Sequence, residues 1–320
     1  MKFEISAPAT LSNFGPGFDS LGMAIDRYLK VTFETADSSS KSLIEISGEF
    51  GAPHGDENIV YKRIKEFYKK PFKLFMHNDI PLKRGLGSSS AALASALALE
   101  KLISLDEAGL IGNETDNASL TELIRPKIYN EAIKAEGHPD NITPCLFGGF
   151  VTARVERGEG AFINIPFPEY IDLHILVPEL ETETRTARKI LPESYCLSDI
   201  VTNLQNLSFM VAEFCMNSKS PENMPIFSNL KQLFKDRIHE LYRLKLCPPC
   251  LDAIQSLNSS EKIFGAFLSG SGTCVCAMAY GDVKTEINNA LHIFTAQNQQ
   301  ARHYVHKIEY SGLKIRRGEK

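Results

Sequence analysis

Pro81-Leu82-Lys83-Arg84-Gly85-Leu86-Gly87-Ser88-Ser89-Ser90-Ala91 has the composition of an anion cradle. Two glycines flank one apolar residue, three serines follow, and an Ala/Leu run extends to Leu102. That run favours a helix. A glycine-rich loop entering a helix leaves first-turn N–H groups unpaired, and the helix dipole favours negative charge there. Gly85 and Gly87 let the backbone approach a ligand where a Cβ would clash. The hydroxyls of Ser88, Ser89 and Ser90 can hold phosphate oxygens or Mg²⁺, and can equally cap the helix. The loop alone leaves both roles open. It is not a Walker A loop, which needs Gly, four residues and Gly-Lys-Ser/Thr. It is not a Rossmann fingerprint, because Ser90 stands where the third glycine belongs.

Five further stretches carry groups suited to chemistry. Ser12-Asn13-Phe14-Gly15-Pro16-Gly17-Phe18-Asp19 is a glycine-rich loop ending in a carboxylate. Glu136-Gly137-His138-Pro139-Asp140-Asn141 packs a histidine against Pro-Asp-Asn, read as a turn before the Gly148-Gly149 strand. Ser269-Gly270-Ser271-Gly272-Thr273 is a Gly/Ser turn between strands. Arg188 and Arg243 lie on helical stretches, where a guanidinium either faces water or forks onto a carboxylate or phosphate. Cys247-Pro248-Pro249-Cys250 has no second pair or His at zinc spacing, and His303 and His306 lack neighbouring ligands, so no zinc or redox site is read.

The elements that must position these groups mix helices and strands without regular alternation, which predicts an α+β class. Strands are expected at 3–7, ended by Pro8, and at 28–34, 43–47 and 72–76. A helix is expected over 57–69 and another from the serines to Leu102. Capping boxes at Ser104–Glu107 and Ser119–Glu122 predict two helix starts, the second helix ending near Ala135. A polar, proline-rich stretch at 157–168 places a domain boundary near 160, giving domains 1–160 and 161–320. The second half is read as strands at 174–177, 262–268, 274–280 and 305–310, with helices over 185–191, 199–216, 226–246 and 283–294.

At 320 residues, 43% hydrophobic and 23% charged, the chain reads as an ordinary two-domain globular protein. A net charge of −4 gives no support for a nucleic-acid or anionic-membrane partner, so phosphates must be held by local devices. Seven scattered cysteines argue against a disulfide framework, and no apolar leader follows Met1. The cytoplasm is the expected compartment.

The spelling Pro-x-x-x-Gly-Leu-Gly-Ser-Ser resembles the ATP loop of the GHMP kinases, the galacto-, homoserine, mevalonate and phosphomevalonate kinases. The Asn13–Asp19 loop and the His138–Asn141 motif are similar to segments of the homoserine kinase branch, and the resemblance runs from Phe3 to the final strand. It implies a ribosomal-S5-like N-terminal domain, a ferredoxin-like C-terminal domain and a homodimer. It implies ATP at Pro81–Ala91, with Mg²⁺ on Ser89 and a glutamate of the helix before His138. That glutamate is read as Glu131, with Glu136 as its rival. L-homoserine, phosphorylated on its hydroxyl on the way to threonine, would meet Asn13, Asp19, His138, Thr184, Arg188 and Arg243. Asn141 and Arg188 would serve the transferred phosphoryl group. Asn141 stands where sister enzymes have an aspartate base, so positioning would carry most of the catalysis. Departures from the family spelling are Phe14 for Leu, Ile142 and Thr143 for Val and Ala, Leu241 for Pro, and Thr273 for the proline of Gly-Pro-Thr, which predicts a less rigid turn.

Overall fold

A computed structural model describes residues 1–112, 114–217 and 230–318. One sheet takes strands from both ends of the chain. Its order is β11 (Lys314–Arg317), β1 (Lys2–Ser12), β2 (Leu21–Thr35), β4 (Phe72–Asn78) and β3 (Leu43–Ser47), with β5 (Phe150–Glu156) on β2 and β6 (Glu159–Ile165) on β5. All its pairs are antiparallel except β3 with β4. The second sheet is antiparallel, in the order β10 (Ala301–His306), β7 (Asp172–Pro178), β9 (Val275–Ala279) and β8 (Ile263–Leu268). The mixture confirms the α+β class.

Pro8 does not end β1. The strand runs on to Ser12 because the register with β2 shifts between Pro8 and Ala9, a bulge that tolerates the missing N–H. The stretch expected to be a linker forms the β5–β6 hairpin, turned at Arg157-Gly158. A division at 160 therefore falls inside β6, and β11 returns the C-terminus to the first sheet.

The helices are α1 (Ile59–Phe67), α2 (Ser88–Glu107), α3 (Asn117–Glu136), α4 (Pro139–Phe147), α5 (Thr184–Lys189), α6 (Leu197–Asn217), the single turns α7 (Leu230–Leu233) and α8 (Glu240–Arg243), then α9 (Pro248–Ser259) and α10 (Lys284–Ala296). Ser104–Glu107 is the last turn of α2, not a new start, because the apolar run continues through buried Leu102 and Ile103. The cap of α3 is Asp116, whose carboxylate accepts the Ser119 N–H at 2.9 Å. The expected helix over 226–246 is interrupted, its residues 226–229 lying outside the described residues. Asp236 Oδ2 accepts the N–H groups of Ile238, His239 and Glu240 at 3.1, 2.7 and 2.6 Å, which caps α8 afresh. The last predicted strand lies further back, at 301–306. Cys247 and Cys250 are joined by a disulfide at a sequence separation of 3, a local bridge at the start of α9.

The core is continuous between the sheets. Phe14 is fully buried, its ring 4.8 Å from Phe150 of β5 and 4.5 Å from Phe267 of β8. Burying a phenylalanine contributes roughly 1.5–3 kcal/mol. That is comparable to the roughly 1–2 kcal/mol that its own left-handed backbone costs; Asn13 and Asp19, also at positive φ, are residue types that tolerate that region better. The loop is bent sharply because its aromatic is anchored in both sheets. Among the described residues no helix is long and apolar enough to cross a membrane.

Candidate active site

The Gly85–Ala91 stretch folds as its composition predicts. Gly87 has φ +68 and forms the N-cap of α2, a helix of 20 residues. A Cβ there would lie 1.9 Å from Thr10 Oγ1, and one on Gly85 would lie 2.1 Å from the Ser269 carbonyl oxygen. The loop is thus wedged between β1 and the Ser269–Thr273 turn. Ser269 Oγ donates to the Gly85 carbonyl at 2.6 Å, and the Cys274 N–H donates to the Arg84 carbonyl at 2.9 Å. Thr273, which stands in place of the expected proline, is tied down by its own hydroxyl, which donates to the Leu180 carbonyl at 2.6 Å.

These elements wall a cleft of about 320 Å³, within the range typical of small-molecule sites. Pro81 through Ser90 line it, while Ala91 turns into the core. Part of its lining is apolar, from Ala52, Pro53, Ile59 and Met76, with Asn58 among them. It also gathers Asn13, Asp19, His138, Asn141, Thr184, Arg188 and Arg243. Sequence reasoning assembled all seven, although they come from four separate stretches.

Their mutual contacts could not be read beforehand. Arg188 Nη2 and Nη1 donate to Asp19 Oδ1 and Oδ2 at 2.6 and 3.1 Å. Asn13 Nδ2 and Arg243 Nη1 both donate to the Gly270 carbonyl, at 3.0 and 2.8 Å. Thr184 Oγ1 lies 3.3 Å from Ser271 Oγ, tying α5 to the same turn. Asn141 Oδ1 accepts from Thr10 Oγ1 at 2.7 Å, and its Nδ2 donates to Ser12 Oγ at 3.0 Å. The His138–Asn141 stretch is a helix start rather than a turn. His138 is the N-cap of α4 and Pro139 occupies the first position, where its missing N–H costs nothing. Arg84, by contrast, is spent on scaffolding, since its guanidinium donates to the carbonyls of Leu82, Pro178 and Glu179.

The electrostatics favour an anionic and zwitterionic guest. His138 Nδ1 is hydrogen-bonded to Asp140, and Asp19 lies close enough for one ligand atom from each to fall within 4.8 Å. Burial works to lower the His138 pKa, but the bond to Asp140 and its charge outweigh this and raise it. Arg243 is buried, and burial followed by the Arg188 charge pushes its pKa down to about 10, which leaves it cationic. Burial pushes the Glu136 carboxyl up, against the Ser90 hydrogen bond.

The glutamates of α3 divide differently from the expectation. Glu131 is mostly exposed, pairs with Arg63 of α1 at 2.6 Å and does not line the cleft. Glu136 lines it, accepting from Ser90 Oγ at 2.9 Å beside the phosphate loop. Five residues along a helix turn the side chain by about 140°, so only one of the two can face the loop. A signal existed: Glu136 continues the buried stripe of Tyr129, Ala132 and Ile133, and Glu131 does not. Thr10 was missed because it lies on a strand read as ending at Pro8, and Ser12, quoted with the 12–19 loop, carried no role there. Asp140 was seen but assigned no role.

This architecture is that of a GHMP kinase. The GHMP kinase N-terminal domain model matches residues 58–149 and the GHMP kinase C-terminal model residues 222–297. A homoserine kinase of Aliarcobacter butzleri is 34% identical over 90% of this chain and 92% of its own length. One from Carboxydothermus hydrogenoformans is 31% identical over 85% and 83%. The crystal structure of homoserine kinase from Cytophaga hutchinsonii superposes with a TM-score of 0.75 at 26% identity, covering 98% of this chain and 97% of that one. The chain belongs to the homoserine kinase family.

Proposed function

We propose that this enzyme transfers the γ-phosphoryl group of ATP to the side-chain hydroxyl of L-homoserine, giving O-phospho-L-homoserine and ADP on the route to threonine. One observation carries the reading: a single cleft joins a helix-N-terminal anion cradle to a pocket holding Asp19, His138 and Arg243. The apolar lining suits a purine. The amides of Gly85–Ser90 suit a triphosphate. Asp19 suits the ammonium of an amino acid, and His138 and Arg243 its carboxylate.

The oxygens of Ser89 and Glu136 fit the hard-ligand demand of Mg²⁺, which is met by one or two protein groups plus phosphates. Glu136 takes the place first given to Glu131. The ion would neutralise charge on the phosphates. Asn141, fixed between Thr10 and Ser12, would position the substrate hydroxyl, and Thr184 and Arg188 would close over it from α5. None of these needs to abstract a proton; the hydroxyl proton can pass to a phosphate oxygen as the bond forms. The family habit further supports a homodimer, which light scattering would test.

The deciding experiment is ADP release with Mg·ATP across a panel of alcohols. Homoserine turnover well above mevalonate and galactose is expected. A preference for mevalonate would overturn the substrate, and no transfer to any alcohol would overturn the activity.

A further inference from the structure

Beneath the amino-acid pocket of the cleft we infer a positioning residue, His239, that acts through Arg243 and the Asn13–Asp19 loop; the assignment rests on the function proposed above. His239 is fully buried. Its Nε2 lies 2.8 Å from the Gly15 carbonyl oxygen, which can only accept. Nε2 therefore carries the proton and Nδ1 is left as an acceptor. Nδ1 lies 3.3 Å from Nη1 of Arg243, which can only donate. Both contacts demand the same neutral tautomer.

The ring contacts reinforce this. The imidazole stacks on Phe18 at 5.1 Å with an interplanar angle of 21°. Arg243 and Arg188 lie over the same Phe18 ring at 5.0 and 5.4 Å from its centroid. His239 thus holds one end of Arg243 and the base of the loop that presents Phe18 and Asp19. Arg243 itself donates to Gly270, the carbonyl that also receives Asn13. Asp236 is the nearby carboxylate, 3.8 Å from Nε2, and the Oδ2 concerned already caps α8. A proton on Nδ1 would set a second buried cation against Arg243, and burial disfavours it.

His239 is not placed to touch the substrate, so its loss should be felt in binding geometry rather than in the chemical step. His239→Phe keeps a stacking ring and removes both hydrogen bonds. Its homoserine KM is expected to rise about tenfold or more, with kcat and the ATP KM within about threefold of wild type. His239→Gln retains a donor toward Gly15 and should recover part of the loss. If only His239→Gln folds, the same split decides: a raised homoserine KM with an unchanged ATP KM supports the role. An unchanged homoserine KM in either folded variant overturns it. So do parallel rises in both KM values with lowered thermal stability, which mark a structural residue. If wild type fails to phosphorylate homoserine, the functional reading falls and this role with it; if wild type succeeds, only the role is at stake.

Discussion

Arg188 and Asp19 hold each other by two parallel contacts, Nη2 to Oδ1 at 2.6 Å and Nη1 to Oδ2 at 3.1 Å. The sequence reading placed both at the substrate, and Arg188 also at the transferred phosphoryl group, without pairing them. The structure makes them one unit that joins α5 to the substrate loop. Their side chains are 37% and 31% exposed, so the pair adds little to stability, about 0–1 kcal/mol. Its value lies in preorganisation: an ammonium entering beside Asp19 meets a carboxylate whose direction is already fixed.

Asp19→Asn should therefore fold normally and bind its amino acid badly. The expected result is a homoserine KM raised about tenfold to a hundredfold, the cost of a lost charge-assisted hydrogen bond. Initial-rate kinetics at saturating ATP would measure it. An unchanged KM would remove Asp19 from the ammonium site.

Glu136→Gln and Glu131→Gln separate the two α3 carboxylates. The first should shift the Mg²⁺ concentration for half-maximal rate upward and lower kcat, by roughly tenfold to a hundredfold as for weakened metal ligation. The second should loosen only the Arg63 pair and leave the Mg²⁺ titration near wild type. The opposite pattern would restore Glu131.

Gly85→Ala tests the wedge between the phosphate loop and the Ser269–Thr273 turn. The new Cβ at φ +81 would meet the Ser269 carbonyl oxygen at 2.1 Å, so the loop or the turn must move. A destabilisation of roughly 1–3 kcal/mol is expected from the strained backbone, together with a higher ATP KM. Urea denaturation and nucleotide titration would follow both. Wild-type behaviour in each would mean the contact is slack.

Asn141→Ala removes a side chain held at both ends by Thr10 and Ser12. A loss of kcat of about tenfold or more is expected, with both KM values little changed. Asn141→Asp should be no better than the alanine variant, because a carboxylate would repel the phosphates. Full activity in Asn141→Asp would reveal a base and overturn direct proton transfer to phosphate.

His138 supplies a pH signature. Its folded-state pKa is raised above the ordinary value of about 6.5. The imidazolium thus contributes stability that is fully present below the unfolded-state pKa and fades as pH rises through the folded value. The homoserine KM should rise over that same upper window as the cation that meets the carboxylate is lost. Asp140→Asn should move the rise to lower pH. A homoserine KM that stays flat from the ordinary histidine range up through alkaline pH would exclude this role for His138.

What the sequence determined was what contiguous residues encode. The Gly85–Ser90 loop and its helix and the arginine stretches follow from left-handed glycines, helix propensity and capping, which act over a few residues; the bend at 13–19 is marked by its glycines but held by Phe14. Where a local rule competed with packing, packing won. The Ser104 capping box was absorbed because buried Leu102 and Ile103 keep α2 running, and Pro8 was absorbed by a bulge against β2. Tertiary packing sets which face of α3 meets the loop, and so brings Glu136 rather than Glu131 to Ser90. It alone brought Asp19 to Arg188, Asn141 to Thr10 and His239 to Gly15. Those contacts join residues far apart in the chain, and their geometry depends on how two sheets pack around Phe14, which no short-range pattern specifies.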